Sequence, residues 1–454
     1  MPRTHLITDW DPEDVAAWEA GNKNIARRNL IWSTVAEHVG FSIWTIWSVM
    51  VLFMPQDVYG FSASDKFLIA ATATLAGGCL RIPYTLATAT FGGRNWTMCS
   101  AWALLLPTVA TLALLTRPGL PLWPYLVCAG LCGLGGGNFA SSMTNINAFY
   151  PQRLKGWALG LNAGGGNIGV PVIQLAGLLV IAIAGNREPY WVCAVYVVLL
   201  AVTGVGAARY MDNLDHHRID LTAMRSILAE RDTWVVAVLY VGTFGSFIGF
   251  SFAFGQVLQI NFAAAGQNAA QASLHAAQIA FIGPLLGSVA RVYGGKLADR
   301  IGGGRVTLAV FAGMILAAGL LVTLSAHQGH DTVTAARMVG YVVGFVALFI
   351  LSGIGNGSVY KMIPAIFEGR SRSLNVSEAE RQKWSRAMAG ALIGFAGAVG
   401  ALGGVGINLA LRQSYLTNSS ATTAFWIFAA FYVGASGLTW MRYVRRPVWA
   451  TVPE

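Results

Sequence analysis

The chain has 454 residues, 55% of them hydrophobic and only 11% charged, with a formal net charge of +10. Soluble domains carry about 25% charged residues, so this composition excludes a water-soluble globule; continuous apolar runs without period-2 alternation exclude a β-barrel. On such a chain an excess of positive charge speaks for membrane orientation rather than nucleic-acid binding.

Residues 1–29 are polar and mixed in charge, with Asp9, Asp11, Glu13, Asp14 and Glu19 ahead of Lys23, Arg27 and Arg28. They read as a solvated leader, without the basic start and apolar core of a cleavable signal. Six apolar spans follow at about 31–53, 66–90, 96–116, 122–147, 156–184 and 190–210. A polar linker then precedes six more, at about 233–260, 272–293, 306–327, 335–360, 387–411 and 421–441. The expected fold is an all-α membrane protein of twelve transmembrane helices in two pseudosymmetric six-helix halves, 30–210 and 233–442. The linker 211–232 and the tail 443–454 complete the chain.

The basic residues orient this layout. With the N-terminus inside, 23 of the 30 Lys and Arg fall on the cytoplasmic side and 5 outside, leaving Arg81 and Arg291 within spans. That bias predicts cytoplasmic N- and C-termini in a cytoplasmic membrane. The five cysteines lie in apolar segments and read as small buried hydrophobes. His216 and His217, in the linker, read as solvated side chains.

The halves repeat one another. Arg81 in the second span precedes Phe91-Gly92-Gly93-Arg94, and Arg291 in the eighth precedes Ile301-Gly302-Gly303-Gly304-Arg305. Gly137-Asn138 in the fourth span returns as Gly355-Asn356 in the tenth. Duplicated halves with matching irregularities suggest a transporter whose site lies near mid-membrane. An Arg at the centre of a span costs about 2.5–3.5 kcal/mol on insertion scales. Snorkelling to the cytoplasmic interface is one way to meet that cost, more so for Arg291, placed nearer the inner end of its span. Two guanidiniums facing one cavity would instead make a site for a flat oxyanion.

The fifth and eleventh spans are the most glycine-laden. Gly164, Gly166 and Gly169 spell G-x-G-x-x-G, but no strand precedes them and no βαβ unit surrounds them, so a dinucleotide loop is rejected. With Gly397, Gly400, Gly403 and Gly404 they are expected to thin two helices for close packing and gating. Such an approach would let Asn162, Asn167 and Gln174 reach a shared cavity. Glu37 is the one acid placed inside a span, with His38 beside it. The pair reads either as interfacial or as a proton-coupling group. Residues 294–305, containing Lys296, Asp299, Arg300 and Arg305, read as a charged, turn-rich loop. No nucleophile–base set or metal cluster appears, so neither an enzyme nor a cofactor or metal site is expected.

The order G-x-x-x-D-R-x-G-x-x-R from Gly295 to Arg305 resembles the loop signature of the major facilitator superfamily. Gly160-Leu161-Asn162-Ala163-Gly164-Gly165-Gly166-Asn167-Ile168-Gly169-Val170 resembles the nitrate signature of its nitrate/nitrite porter family, and residues 394–404 its second copy. Residues 135–143, Arg81 and Arg291 fit as well, and the likeness runs from about Asn29 to Arg442. The resemblance implies that Arg81 and Arg291 grip nitrate or nitrite between the halves. Phe139, Phe250 and Phe254 would line that pocket, although core packing is the other reading of the last two. Asp299, Arg300 and Arg305 would help hold the halves together at the cytoplasmic side. The implied partners are nitrate, nitrite and the lipid bilayer, with no nucleic acid, in a protein functional as a monomer. The expected mode is nitrate/nitrite exchange. Nitrate–proton symport, a facilitator for another small anion, and a flux-less nitrate sensor are the alternatives.

Overall fold

The structure is a computed structural model, described over residues 5–184, 188–215, 221–326 and 334–445. His216 and His217 lie outside the described residues. Twelve helical segments among the described residues are long and apolar enough to cross a membrane. We label them α1 Val15–Phe53, α2 Ala63–Phe91, α3 Gly93–Leu115, α4 Leu122–Phe149, α5 Gln152–Ala184 and α6 Pro189–Tyr210. After a linker helix, Leu221–Ala229, come α7 Arg231–Ala264, α8 Ala269–Ile301, α9 Gly303–Ala326, α10 Ala335–Ser371, α11 Glu378–Asn418 and α12 Thr422–Val444.

Several of these run well past their apolar cores. α8 continues to Ile301, so the stretch around Asp299 is helix rather than a turn-rich loop; only Gly302, at φ 91°, separates it from α9. Gly92, at φ 86°, does the same between α2 and α3, and a side chain is disfavoured at either position. α11 begins with a capping box, Ser377 and Glu380 each satisfying the other's backbone N–H.

Three helices break in the same way. The interruptions at Leu80, Leu104 and Phe281 each stand three residues before a proline: Pro83, Pro107 and Pro284. A proline has no N–H to give the carbonyl four residues back, and each regular segment ends at that residue: Cys79, Ala103 and Ala280. Pro171 and Pro364 sit inside uninterrupted helices.

From His5 onward the leader carries a short strand and helix, and part of it packs into the core. Leu6–Ile7 (β1) pairs in parallel with Asn213–Leu214 (β2). Trp18, Ala26 and Leu30 are buried with Ile146, Phe149, Tyr150 and Ala158 in one hydrophobic cluster, against which Ile7 and Trp10 pack. Of the cysteines, Cys128, Cys132 and Cys193 are buried, whereas Cys79 and Cys99 are exposed.

The chain divides into two compact units at boundaries after Phe61, Ala71 and Ile219, so Ser62–Ala71, the start of α2, groups with the second unit. Each unit is pinned by a buried aspartate at an end of the linker. In the first, Asp212 accepts from Arg28 Nη2 at 2.7 Å and Asn29 Nδ2 at 3.2 Å, and its own N–H donates to Asn29 Oδ1. In the second, Asp232 is fully buried and accepts from Arg370 Nη2 at 2.6 Å, Arg442 Nε at 2.8 Å and the Tyr443 hydroxyl at 3.2 Å. Arg370 also pairs with Glu230.

Candidate functional site

In the first unit, Arg81 begins the second segment of α2, directly after the break that Pro83 imposes, and is 1% exposed. Its guanidinium carbon lies 4.6 Å from the Phe139 ring centroid, 5.6 Å from Trp44 and 5.9 Å from Phe41. A ring face near a cation contributes about 0.5–2 kcal/mol, more where water is excluded, so this cage offsets part of the cost of burial. The Trp44 indole is fixed by donating to the Ala73 carbonyl at 2.8 Å. It occupies space that side chains at Gly77 and Gly136 would fill. Of the cage, Phe139 was legible in the sequence; Phe41 and Trp44 were not.

Below the cage is a polar network. Glu37 is fully buried, and its Oε2 accepts from the Ser142 hydroxyl at 2.5 Å and from Asn162 Nδ2. Asn162 Nδ2 also donates to Ser142 Oγ at 2.8 Å, and the Thr34 hydroxyl donates to Asn162 Oδ1 at 3.2 Å. Both ends of the Asn162 amide are thus engaged with protein. His38 donates from Nδ1 to the Gly165 carbonyl at 3.0 Å. Asn167 is different: it is fully buried, and neither atom of its amide has a partner among the described residues.

The glycines divide by what they touch. A Cβ on Gly166 would lie 2.0 Å from Glu37 Oε1, and one on Gly169 would lie 2.3 Å from the His38 carbonyl oxygen, so α5 meets α1 through these two positions. Gly164 has nothing within 4 Å of where its Cβ would be and makes no close approach.

The second unit repeats the scaffold with other chemistry. Gly403 abuts the Val241 carbonyl oxygen and Gly400 the Tyr240 ring, while Gly404 approaches the Cβ position of Gly249. Gly397 lies buried on the same helix. By these contacts Tyr240 takes the place of Glu37. Tyr360, four residues after Asn356 as Ser142 is after Asn138, takes the place of Ser142. Tyr240 and Tyr360 meet edge to face with centroids 4.7 Å apart. Arg291 is 8% exposed and its guanidinium carbon lies 5.3 Å above the Tyr360 ring. Arg81 stands eleven residues before Gly92 and Arg291 eleven before Gly302, so each lies about 16 Å along its own helix from its glycine end. Arg291 is thus no nearer its helix end than Arg81.

Phe250 and Phe254 belong to an aromatic cluster in the second unit's core. Phe250 has Phe345 and Phe428 at 5.6 Å, and Phe254 stacks on Phe345 at 4.9 Å. The aromatic residue beneath Arg291 is Tyr360, which sequence reasoning missed. Its signal was present: a tyrosine one turn beyond the repeated Gly-Asn pair. Asn356 is itself fully buried with neither amide atom partnered among the described residues. Asp299 pairs with Lys361 of α10 at 2.9 Å, both about half exposed, while Arg300 and Arg305 are exposed.

Comparison with known proteins places this geometry in a family. The model of the Major Facilitator Superfamily matches residues 38–405. The nitrate/nitrite transporter NarU of Escherichia coli (strain K12) is 33% identical over 97% of each chain. The probable nitrate/nitrite antiporter NarK2 of Thermus thermophilus is 30% identical, again over 97% of each. Among solved structures, the xylose transporter XylE from E. coli, in a partially occluded inward open conformation, is similar with a TM-score of 0.65. It covers 92% of this chain and 98% of that one at 12% identity, a likeness of fold alone.

Proposed function

The chain belongs to the nitrate/nitrite porter family of the major facilitator superfamily, and on that premise we propose that it carries nitrate and nitrite across the cytoplasmic membrane by alternating access. The anion is held by Arg81 of the first unit and Arg291 of the second, with Asn167 donating a further hydrogen bond and the termini on the cytoplasmic side. The observation that carries this reading is the matched pair of buried arginines, each eleven residues from its helix-ending glycine and each seated on aromatic rings. A guanidinium presents a planar fork of N–H donors that suits the flat, delocalised oxygens of nitrate and nitrite.

The same pair favours exchange. Two bare cations brought to about 7 Å repel by about 2–3 kcal/mol at an effective dielectric near 20. An empty carrier therefore closes poorly, and a bound anion removes the obstacle in either direction. The test is nitrate uptake into proteoliposomes at equal pH on both sides. Uptake is expected with nitrite or nitrate inside and absent with an anion-free interior. Equal uptake in both would overturn exchange, and its suppression by unrelated small anions would overturn the substrate assignment.

A further inference from the structure

We propose that Arg225 and Arg231 form a binding site for the phosphodiester headgroup of an anionic phospholipid, at the edge of the second unit where the linker helix Leu221–Ala229 docks beside α7. The site stands apart from the arginine pair that holds the transported anion, and its test needs no transport.

Two tryptophans set the depth of this edge. The first turn of α7 meets the last turn of α12, because Asp232 accepts from Arg442 and from the Tyr443 hydroxyl. Trp234 stands two residues into α7 from Asp232, and Trp440 stands two residues into α12 from Arg442. Both are about half exposed, at 52% and 46%. A half-exposed indole at the end of a membrane helix belongs at the boundary between hydrocarbon and headgroups. Arg231, just before Asp232, and Arg445, just past the end of α12, then fall at headgroup level. Arg445 lies over the Trp440 ring at 5.5 Å, the posture of a cation reaching outward from that boundary.

The linker helix reaches the same level. Its Ile227 is buried against the protein, whereas Leu228 is 44% exposed. The Trp234 indole N–H donates to the Leu228 carbonyl at 3.0 Å, and its ring meets Phe395 of α11 edge to face at 5.4 Å. Leu228 and Trp234 therefore make one apolar ledge. Arg225 precedes Leu228 by three residues and Arg231 precedes Trp234 by three, so each arginine shares the helix face of its ledge residue.

Both arginines are exposed, and no carboxylate among the described residues pairs with either. The nearest acids in sequence are engaged elsewhere: Glu230 by Arg370, and Asp232 by Arg370 and Arg442. A guanidinium fork matches the two free oxygens of a phosphodiester, and the ledge beneath takes the start of the acyl chains. A soluble phosphate would leave that ledge unused, which favours the lipid. A cation at an anionic membrane surface strengthens attraction about fivefold, so two give about 30-fold. The bound headgroup fastens the linker helix at the bilayer surface.

The test uses the full chain, delipidated in neutral detergent, with bound lipid counted by native mass spectrometry. The probes are phosphatidylglycerol and phosphatidylcholine with matched acyl chains. The wild type is expected to bind phosphatidylglycerol about 30-fold more tightly than phosphatidylcholine. The double substitution Arg225→Gln with Arg231→Gln should bind both lipids alike. Lys383 and Arg386 stand twelve and nine residues before Phe395 on α11, about 14 to 18 Å further along the helix and beyond the headgroups. Lys383→Gln with Arg386→Gln removes the same charge and should keep the preference. A wild type without preference overturns the proposal even if the first double variant does not fold. So does a preference that survives in that variant, or one lost equally in the α11 control. Displacement of the lipid by inorganic phosphate at equal concentration would assign the site to a soluble anion and overturn the lipid assignment.

Discussion

Two glycines in one signature, five residues apart, should respond oppositely to the same substitution. A methyl group on Gly169 would stand 2.3 Å from the His38 carbonyl oxygen and 3.1 Å from Ser42 Oγ. Ordinary contact begins near 3.4 Å, so α1 and α5 must separate by about 1 Å, because the obstacle is backbone and has no rotamer to adopt. The Ser42 hydroxyl, 2.9 Å from the Gly169 carbonyl, loses its geometry in the same movement. Overpacking of this kind costs about 1–3 kcal/mol. Gly164→Ala meets nothing within 4 Å and should be neutral or stabilising by about 0.5–1 kcal/mol, the usual advantage of alanine over glycine inside a helix. The assay is chemical denaturation in detergent alongside nitrate exchange in liposomes. Gly169→Ala should lower the unfolding midpoint and the exchange rate, whereas Gly164→Ala should lower neither. A silent Gly169→Ala beside an inactive but folded Gly164→Ala would show that the close approach has been assigned to the wrong face of α5.

Other outcomes follow from the same contacts. Asp232→Ala removes the acceptor that Arg370 and Arg442 share, leaving Arg370 with Glu230, and should destabilise by about 1.5–3 kcal/mol. Asp299→Ala, which loses one half-exposed pair with Lys361, should cost less than about 1 kcal/mol, and unfolding midpoints separate the two. Asn167→Leu removes a buried amide with no partner among the described residues, so the fold should be unharmed while the nitrate KM rises about tenfold, the loss of one hydrogen bond to a charged group. Asn162→Leu instead breaks the Glu37 network and should show its main effect in stability. Equal effects of the two asparagine substitutions on KM would contradict this division of roles.

Much of the architecture was legible because apolar span length is a strong signal over twelve segments. The arginine pair was legible for the same reason: an ion inside an apolar run stands out. Less could be read where polarity and tertiary packing compete. Residues 1–29 look solvated by composition, yet Trp10, Trp18 and Ala26 find an apolar partner surface at the end of α4 and the start of α5 that no local pattern announces. Asp212 and Asp232 look like linker charges until Arg28, Arg370 and Arg442 arrive from distant segments to bury them. The burial of Glu37 could not be read, because its partners Ser142 and Asn162 come from distant segments. The positions of the breaks at Leu80, Leu104 and Phe281 were available in principle, since each precedes a proline by three residues, but those at Thr45–Ile46 in α1 and Gly133 in α4 have no such proline. Which prolines break their helix was not, as uninterrupted α5 and α10 show.

The central proposal is that Arg81 and Arg291 both bind the transported anion. The direct measurement is nitrate binding to purified, folded Arg81→Lys and Arg291→Lys by calorimetry. Lysine keeps the charge but loses the planar fork, and losing one charge-assisted hydrogen bond costs about 1.5–3 kcal/mol. Each variant should therefore bind nitrate about 10- to 100-fold more weakly than the wild type, with exchange falling in step. Wild-type affinity in either variant would remove that arginine from the site and contradict the account.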